Sequence, residues 1–363
     1  MLRTIADYAL QALSESGDLE AVRAQHATYF MAMAREAAPD IFRADENWPD
    51  RLEPEHDNLR AVLRFLIDGH RTREALEFSA CLWRFWQIRP HLSEGLMWLN
   101  ECLSLPYHED DLGARAAALT AAGGLTYWQN DFDTTRVHYG DALETYRTVG
   151  DRRGVAEALY NFGFLALIGA EPRRAKELHE QSLAIYTDLE DELQMAFARF
   201  GIAMAHLNER EFGSARTLAL SALNVFEAHR NWFGRSLVEF VLIQVARLSG
   251  NHEQARGLLL ESLERPESLK DVSTLSSLLE LLADVEIALG RPRRGLKLAS
   301  ASSSLRKEYG GGAPPPLLSL DDPRALASRS LDGPEVDEVW SQGAGLSVEE
   351  AAAYARKDPA GDE

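Results

Sequence analysis

Cysteine is nearly missing: Cys81 and Cys102 are the only two in 363 residues. Two thiols build no disulfide framework in a chain this long, and they read as small apolar helix residues in a reducing cytosol. Long hydrophobic runs are missing as well. The most apolar stretch, Leu159 to Ala170, contains Asn161 and falls short of the ~20 residues a bilayer span needs. The opening text MLRTIADYALQALSESGD carries Asp7 and lacks the apolar core of a secretion signal. Positive charge is in deficit, with 38 Lys and Arg against 57 Asp and Glu, a net charge of −19. Nucleic-acid binding neutralises phosphates with basic residues, so no direct contact with DNA or RNA is expected. The pairs Arg152–Arg153, Arg173–Arg174 and Arg293–Arg294 read as solvated charges at turns. The expectation is a cytoplasmic chain without a membrane partner.

Motifs for chemistry are also missing. There is no HExxH, no CxxC pair, no GxSxG and no GxxxxGK[ST]. The one dense acidic cluster, His108 to Asp111, could ligate a hard cation, but reads as a solvated loop between helices. His56–Asp57 and His179–Glu180 are helix neighbours that point in different directions, so neither forms an acid–base pair. His179 reads as a packed, hydrogen-bonded core histidine. Trp83, Phe85, Trp86 and Trp98 could wall a pocket, but the Trp83–Trp86 spacing reads as a core stripe. These readings predict no catalytic residue, no cofactor and no metal.

What the chain does have is a repeat of 40 residues. Gly163, Ala175, Ser182 and Leu183 form a frame, and one step upstream fall Gly123, Thr135, Ala142 and Leu143. Downstream fall Ala203, Ala215, Ala222 and Leu223, then Ile243, Ala255, Ser262 and Leu263. A fifth copy gives Ala283, Gly295 and Ser302, and an earlier echo falls at Gly95 and Leu103. A fixed period of this size signals stacked helical hairpins. In the second copy, helix A is predicted over Val155–Ile168 and helix B over Pro172–Tyr186, with Gly169 and Pro172 punctuating the turn. The spacing of Gly69 and Ala75 starts helical pairing near residue 55. Small residues at Gly163 and Ala175 would let the two helices approach closely. Ser182 and Leu183 would meet the next repeat.

This pattern resembles the tetratricopeptide repeat, with Phe162-Gly163 and Ile202-Ala203 as its large–small pair. The terminal proline of that repeat is replaced by Thr187 and Glu227, and the period exceeds the usual ~34 residues. Longer helices or turns would absorb the excess; HEAT-like repeats of similar period are an alternative. The predicted fold is an all-α, right-handed superhelical solenoid. Its parts are 1–38, two helices split at Ser16-Gly17-Asp18; 39–112, a loop-rich bridge with Trp48 and then atypical helical repeats; 113–306, the period-40 repeats; 317–356, short C-terminal helices; and 357–363, a disordered tail. The stretch GGGAPPP is the clearest break, and Ser347 with Glu350 makes a capping box.

TIADYALQAL, RAQHATYFMAMAREAAP, LEPEHDNLRAVLRFLI and LWRFWQIRPHLSEGLMWL, with VDEVWSQGAGLSVEEAAAYA near the end, resemble the large signal-transduction ATPases with tetratricopeptide repeats. These include transcriptional regulators of the LuxR and antibiotic-regulatory-protein kinds. The resemblance covers nearly the whole chain and implies an NB-ARC-type ATPase and a DNA-reading module as attached or associated partners. The phosphate-binding motif and the helix-turn-helix lie outside these residues, so neither role transfers to them. Thr4 to Leu13 resembles the end of a winged helix.

Tetratricopeptide arrays face particular helix A positions into a concave groove. Here those positions give Tyr127, Trp128, Tyr160, Phe164, Phe197, Phe200, Met204, Phe240, Gln244 and Arg247, with Asn161 beside them. The fifth copy is polar there, with Ser277, Glu280 and Asp284. An aromatic row with Arg and Met has the composition of a binding hot spot, although rolled helices could bury it as core. The lysine–asparagine clamp for a peptide carboxylate is absent. The expected function is a sensor module that binds a peptide, protein or apolar small molecule in the groove. The alternatives are an enzyme or accessory protein on a repeat scaffold, and self-association.

Overall fold

The computed structural model describes residues 13, 15–89, 91–265, 272–309, 315–318 and 320–357. Helices α1 (Leu19–Asp40), α2 (Trp48–Leu52) and α3 (His56–Asp68) come first. Six hairpins follow: α4/α5 (Thr72–Ile88, Leu92–Leu103), α6/α7 (Leu112–Trp128, Phe132–Val149), α8/α9 (Arg152–Ile168, Pro172–Asp188), α10/α11 (Glu192–Asn208, Phe212–Ala228), α12/α13 (Trp232–Leu248, His252–Leu263) and α14/α15 (Val272–Ala288, Pro292–Tyr309). Short helices α16 (Pro315–Leu318), α17 (Pro323–Ala327), α18 (Gly333–Ala344) and α19 (Val348–Arg356) close the chain. No strand occurs among the described residues, whose one β-contact is the isolated bridge Arg43–Asn231. The fold is an all-α solenoid. No described helix is long and apolar enough to cross a membrane. All but Leu13 of the winged-helix-like Thr4–Leu13 and most of the tail fall outside the described residues.

The period is built into the backbone. Every helix A begins 40 residues after the last, and each is 17 residues long. The excess over the shorter repeat therefore lies in long helices. From α6/α7 onward, each A-to-B turn holds one residue at positive φ: Asn130, Ala170, Arg210, Gly250 and Gly290. A bond reaching back five residues closes each of these turns, such as Glu171 N–H to Ala166 O at 2.8 Å. In the second copy the left-handed residue is Ala170, and Gly169 stays at φ −74°. Helix A starts carry a capping side chain in the same register. Asp151, Asp191 and Asn231 accept from the amides of Gly154, Gln194 and Gly234. Asp111 holds the equivalent place before α6 and accepts from the His108 amide, so the acidic cluster is a helix entry.

Packing corrects several expectations. The space beside Gly163 is filled by the His179 ring: a Cβ at Gly163 would lie 2.3 Å from it. Gly123 makes the same room for Tyr139. Where helix A carries Ala203, the matching helix B residue is Ala219, so volumes compensate along the array. Ser182 does not reach the next repeat; its hydroxyl donates to Ala156 O at 2.8 Å within its own hairpin, as Ser302 does to Ser276 O. His179 is fully buried, but its two ring nitrogens have no hydrogen-bond partner, contrary to the bonded reading. Arg294 is buried, not solvated, and ties Glu286 to the carbonyls of Tyr354, Ala355 and Lys357. Arg152, Arg153, Arg173 and Arg174 are exposed, and Arg293 is half-exposed in a pair with Glu335. The bridge after Pro39 is more ordered than expected: Pro39 lies inside α1, and Trp48 opens α2 as a buried anchor beneath Arg51.

That bridge also closes the array. Phe42 stacks on Phe233 at 4.4 Å, Trp232 N–H donates to Phe42 O, and Ala44 N–H donates to Arg230 O. Asp45 pairs with Arg230 across 185 residues of sequence. The first loop is thus clasped to the start of α12, and the A helices between them enclose a space.

Candidate functional site

The enclosed space is a partly open pocket. Its walls come from α4, α6, α7, α8, α10, α12 and α14, with Leu317 of α16 at one side. Of its described lining residues, nine are aromatic and one, Arg84, carries a formal charge. Such a space, apolar with few polar groups, has the form of a ligand site.

Eight expected groove residues meet there: Tyr127, Trp128, Tyr160, Asn161, Phe164, Phe200, Met204 and Phe240. The rings order one another. Tyr160 meets Phe164 edge-on at 5.1 Å, and Phe164 stacks on Phe200 at 5.7 Å. Phe164, Phe200 and Met204 are largely buried, so they form the floor, while the other five retain some exposure. Burial pushes the phenols of Tyr127 and Tyr160 above their usual range, and both stay neutral.

Three expected residues are placed elsewhere. Phe197 is not in the lining; it packs edge-on against Phe226 at 4.7 Å. Gln244 and Arg247 are buried and grip this chain's own backbone. Gln244 Nε2 donates to Leu318 O at 2.9 Å, and Arg247 Nη2 donates to the same oxygen at 2.9 Å. Arg247 also bonds Gln244 and pairs with Asp284. Their amide and guanidinium groups hold α16 against the pocket, which explains why polar side chains interrupt an aromatic row.

The structure adds Trp83, Arg84, Tyr139 and Phe233 to the wall. The aromatic cluster of α4 therefore divides: Phe85, Trp86 and Trp98 are core, whereas Trp83 faces the pocket against Gly124. A signal for Arg84 exists in the repeat. Stepping back from Phe164 by 40 and by 80 residues gives Gly124 and Arg84, both lining residues. The glycine frame fails in that copy because Trp83 occupies the Gly163 position.

Two described clusters bring three metal-ligand types within 4.8 Å: Glu53, His56 and His91, and His206, Glu209 and Glu211. In the first, Arg89 already pairs with Glu53, and in the second His206 bonds Glu211 at 2.6 Å. Both read as ion-pair and hydrogen-bond clusters.

The fold and pocket define a helical-repeat protein with an aromatic site enclosed by successive A helices. No family model matches the chain. Proteins of Mycobacterium bovis and Mycobacterium tuberculosis, provisionally named HTH-type transcriptional regulators, are 32% identical over 181 residues. The match covers 47% of this chain and 20% of theirs, so the chain spans about a fifth of those relatives. A crystal structure of a Rap protein complexed with competence and sporulation factor matches 93% of this chain and 96% of its own, with a TM-score of 0.53 and 17% identity. The Rap conjugation gene regulator of plasmid pLS20, in complex with the Phr* peptide, covers 79% of this chain at a TM-score of 0.43 and 12% identity.

Proposed function

We propose that this chain is the sensing module of a transcriptional regulator, and that a peptide or small apolar effector binds in the aromatic pocket. The observation that carries the reading is the convergence of residues from six A helices, Trp83 to Leu278, on one partly open space. A packed core fills such a space, and aromatic surface left facing solvent calls for a partner. The similarity to the mycobacterial regulators supports the regulatory setting. The Rap structure of similar fold, complexed with competence and sporulation factor, supports ligand binding by a stack of this kind. The pocket wall has no described carboxylate, imidazole or thiol, which supports binding without catalysis. Bound effector would change the balance between conformations of the clasped array, and so the state of an attached or associated ATPase and DNA-binding module.

The test is native mass spectrometry of the purified chain to recover a retained ligand, followed by its titration against wild type and Ser236→Trp. Ser236 lines the pocket and is itself only half-buried, so an indole there projects into the space a ligand would take. The reading expects binding to be lost in the variant at unchanged helicity. Equal affinity for both proteins would remove the pocket from consideration.

A further inference from the structure

Arg84 is an arginine without a carboxylate. Among the described residues no acid lies within 4.0 Å of this half-buried side chain, whereas the buried arginines Arg247 and Arg294 each have one. Its guanidinium makes one hydrogen bond, Nη1 to Gln87 Oε1 at 2.9 Å. The rest of its five donors find no described protein acceptor. Its flat face rests on Trp83 at 3.7 Å, with Phe42 and Phe233 further out at 5.3 and 5.5 Å. Aromatic faces hold the cation in place without using its in-plane N–H groups. Those edges remain available where the side chain opens into the pocket. Desolvation is the largest influence on the group and pushes its pKa down to about 10, so it stays charged at neutral pH. Glu157 acts on it only from a distance and does not line the pocket. On the same wall, the Asn161 carboxamide also has no described hydrogen-bond partner.

Resting on the sensor reading above, we propose that the pocket selects anionic ligands: Arg84 receives a carboxylate edge-on while the surrounding rings take the apolar or aromatic body attached to it. A planar guanidinium fits a carboxylate bidentately, and a single fixed positive charge in an aromatic wall discriminates charge at that one point. The same chemistry comes from a small aromatic acid or from the C-terminus of a peptide, and the experiment separates the two.

Calorimetric titration compares indole-3-acetate with indole-3-acetamide, and a tetrapeptide ending in Phe-Leu with its C-terminal amide. The proposal expects the acid to bind at least about tenfold tighter than its amide in one of the two pairs, which identifies the source. Arg84→Gln then removes the preference while the amide still binds, and Arg84→Lys retains part of it. Equal binding of acid and amide in both pairs, or an unchanged preference in Arg84→Gln, overturns the proposal and leaves the pocket reading standing. Failure of all four probes at millimolar concentration also overturns it. The pocket reading itself fails separately, through Ser236→Trp.

Discussion

At the scale of single residues, His179 shows how far packing overrides polarity here. It sits in a slot between Gly163 and Gly201, with the Tyr160 and Phe164 rings at 5.4 and 5.0 Å. Burial pushes its pKa down to about 3, against about 6.5 in an unfolded chain. Between those values the unfolded chain binds a proton that the folded chain refuses. Stability therefore falls as pH drops through that window, by up to ~1.4 kcal/mol per pH unit, and is untouched above it. Replacing His179 by Phe should flatten the acid limb by about one proton, measured as urea midpoints from pH 7 to pH 4. An acid limb identical to wild type would show that the ring is not held neutral. The turns offer a second residue-scale case. Ala170 adopts φ 57° where other copies use Gly250 and Gly290. Ala170→Gly should be neutral or stabilising by up to ~1 kcal/mol, and Gly290→Ala should cost ~1 kcal/mol in thermal unfolding. Gly169 marks the end of the helix in the sequence, but the left-handed position falls one residue later, on Ala170. The slot at Gly163 was legible as a small-residue site, but which ring fills it depends on side-chain direction that sequence spacing leaves open.

At the scale of elements, two attachments hold the last helices to the repeats, and neither was legible in the sequence. Glu286 is fully buried among Arg256, Arg291 and Arg294. Burial would raise its pKa, but the hydrogen bonds from Arg291 and Arg256 outweigh that and hold it below the usual range. Glu286→Gln leaves three guanidinium groups underpaired and should cost ~3 kcal/mol, read from denaturant unfolding. The second attachment is the grip of Gln244 and Arg247 on the Leu318 carbonyl. Gln244→Ala should speed amide exchange at Leu317–Leu318 while the α8–α9 hairpin stays protected. Both contacts join residues more than 60 apart through backbone oxygens, which carry no residue-type signature. The helices themselves were legible, because the 40-residue frame is local: seventeen helical residues, a three-residue turn, then the same again.

At the scale of the whole molecule, the clasp between Phe42 and Phe233 turns a row of hairpins into an enclosure. It lies beside Arg84, so the pocket wall and the closure share side chains. Phe42→Ala should cost ~3 kcal/mol of stability and also weaken binding of any pocket ligand, because the wall behind Arg84 loses its backing. A variant of lower thermal stability with undiminished affinity would separate the clasp from the site. Sequence spacing yielded seven wall residues because they fall at a few recurring helix A positions, with Asn161 adjacent to one of them. It missed Arg84 because Trp83 breaks the glycine signature in that copy. It also placed Gln244 and Arg247 in the groove at the right helix position, but the chain's own α16 claims them. The most direct measurement is hydrogen–deuterium exchange of the full chain with and without the ligand recovered by native mass spectrometry. The account predicts that protection rises together in α4, α6, α8, α10 and α12, at the segments around Arg84, Gly124, Phe164, Met204 and Leu237. Protection confined to the B helices, or to one hairpin alone, would contradict it.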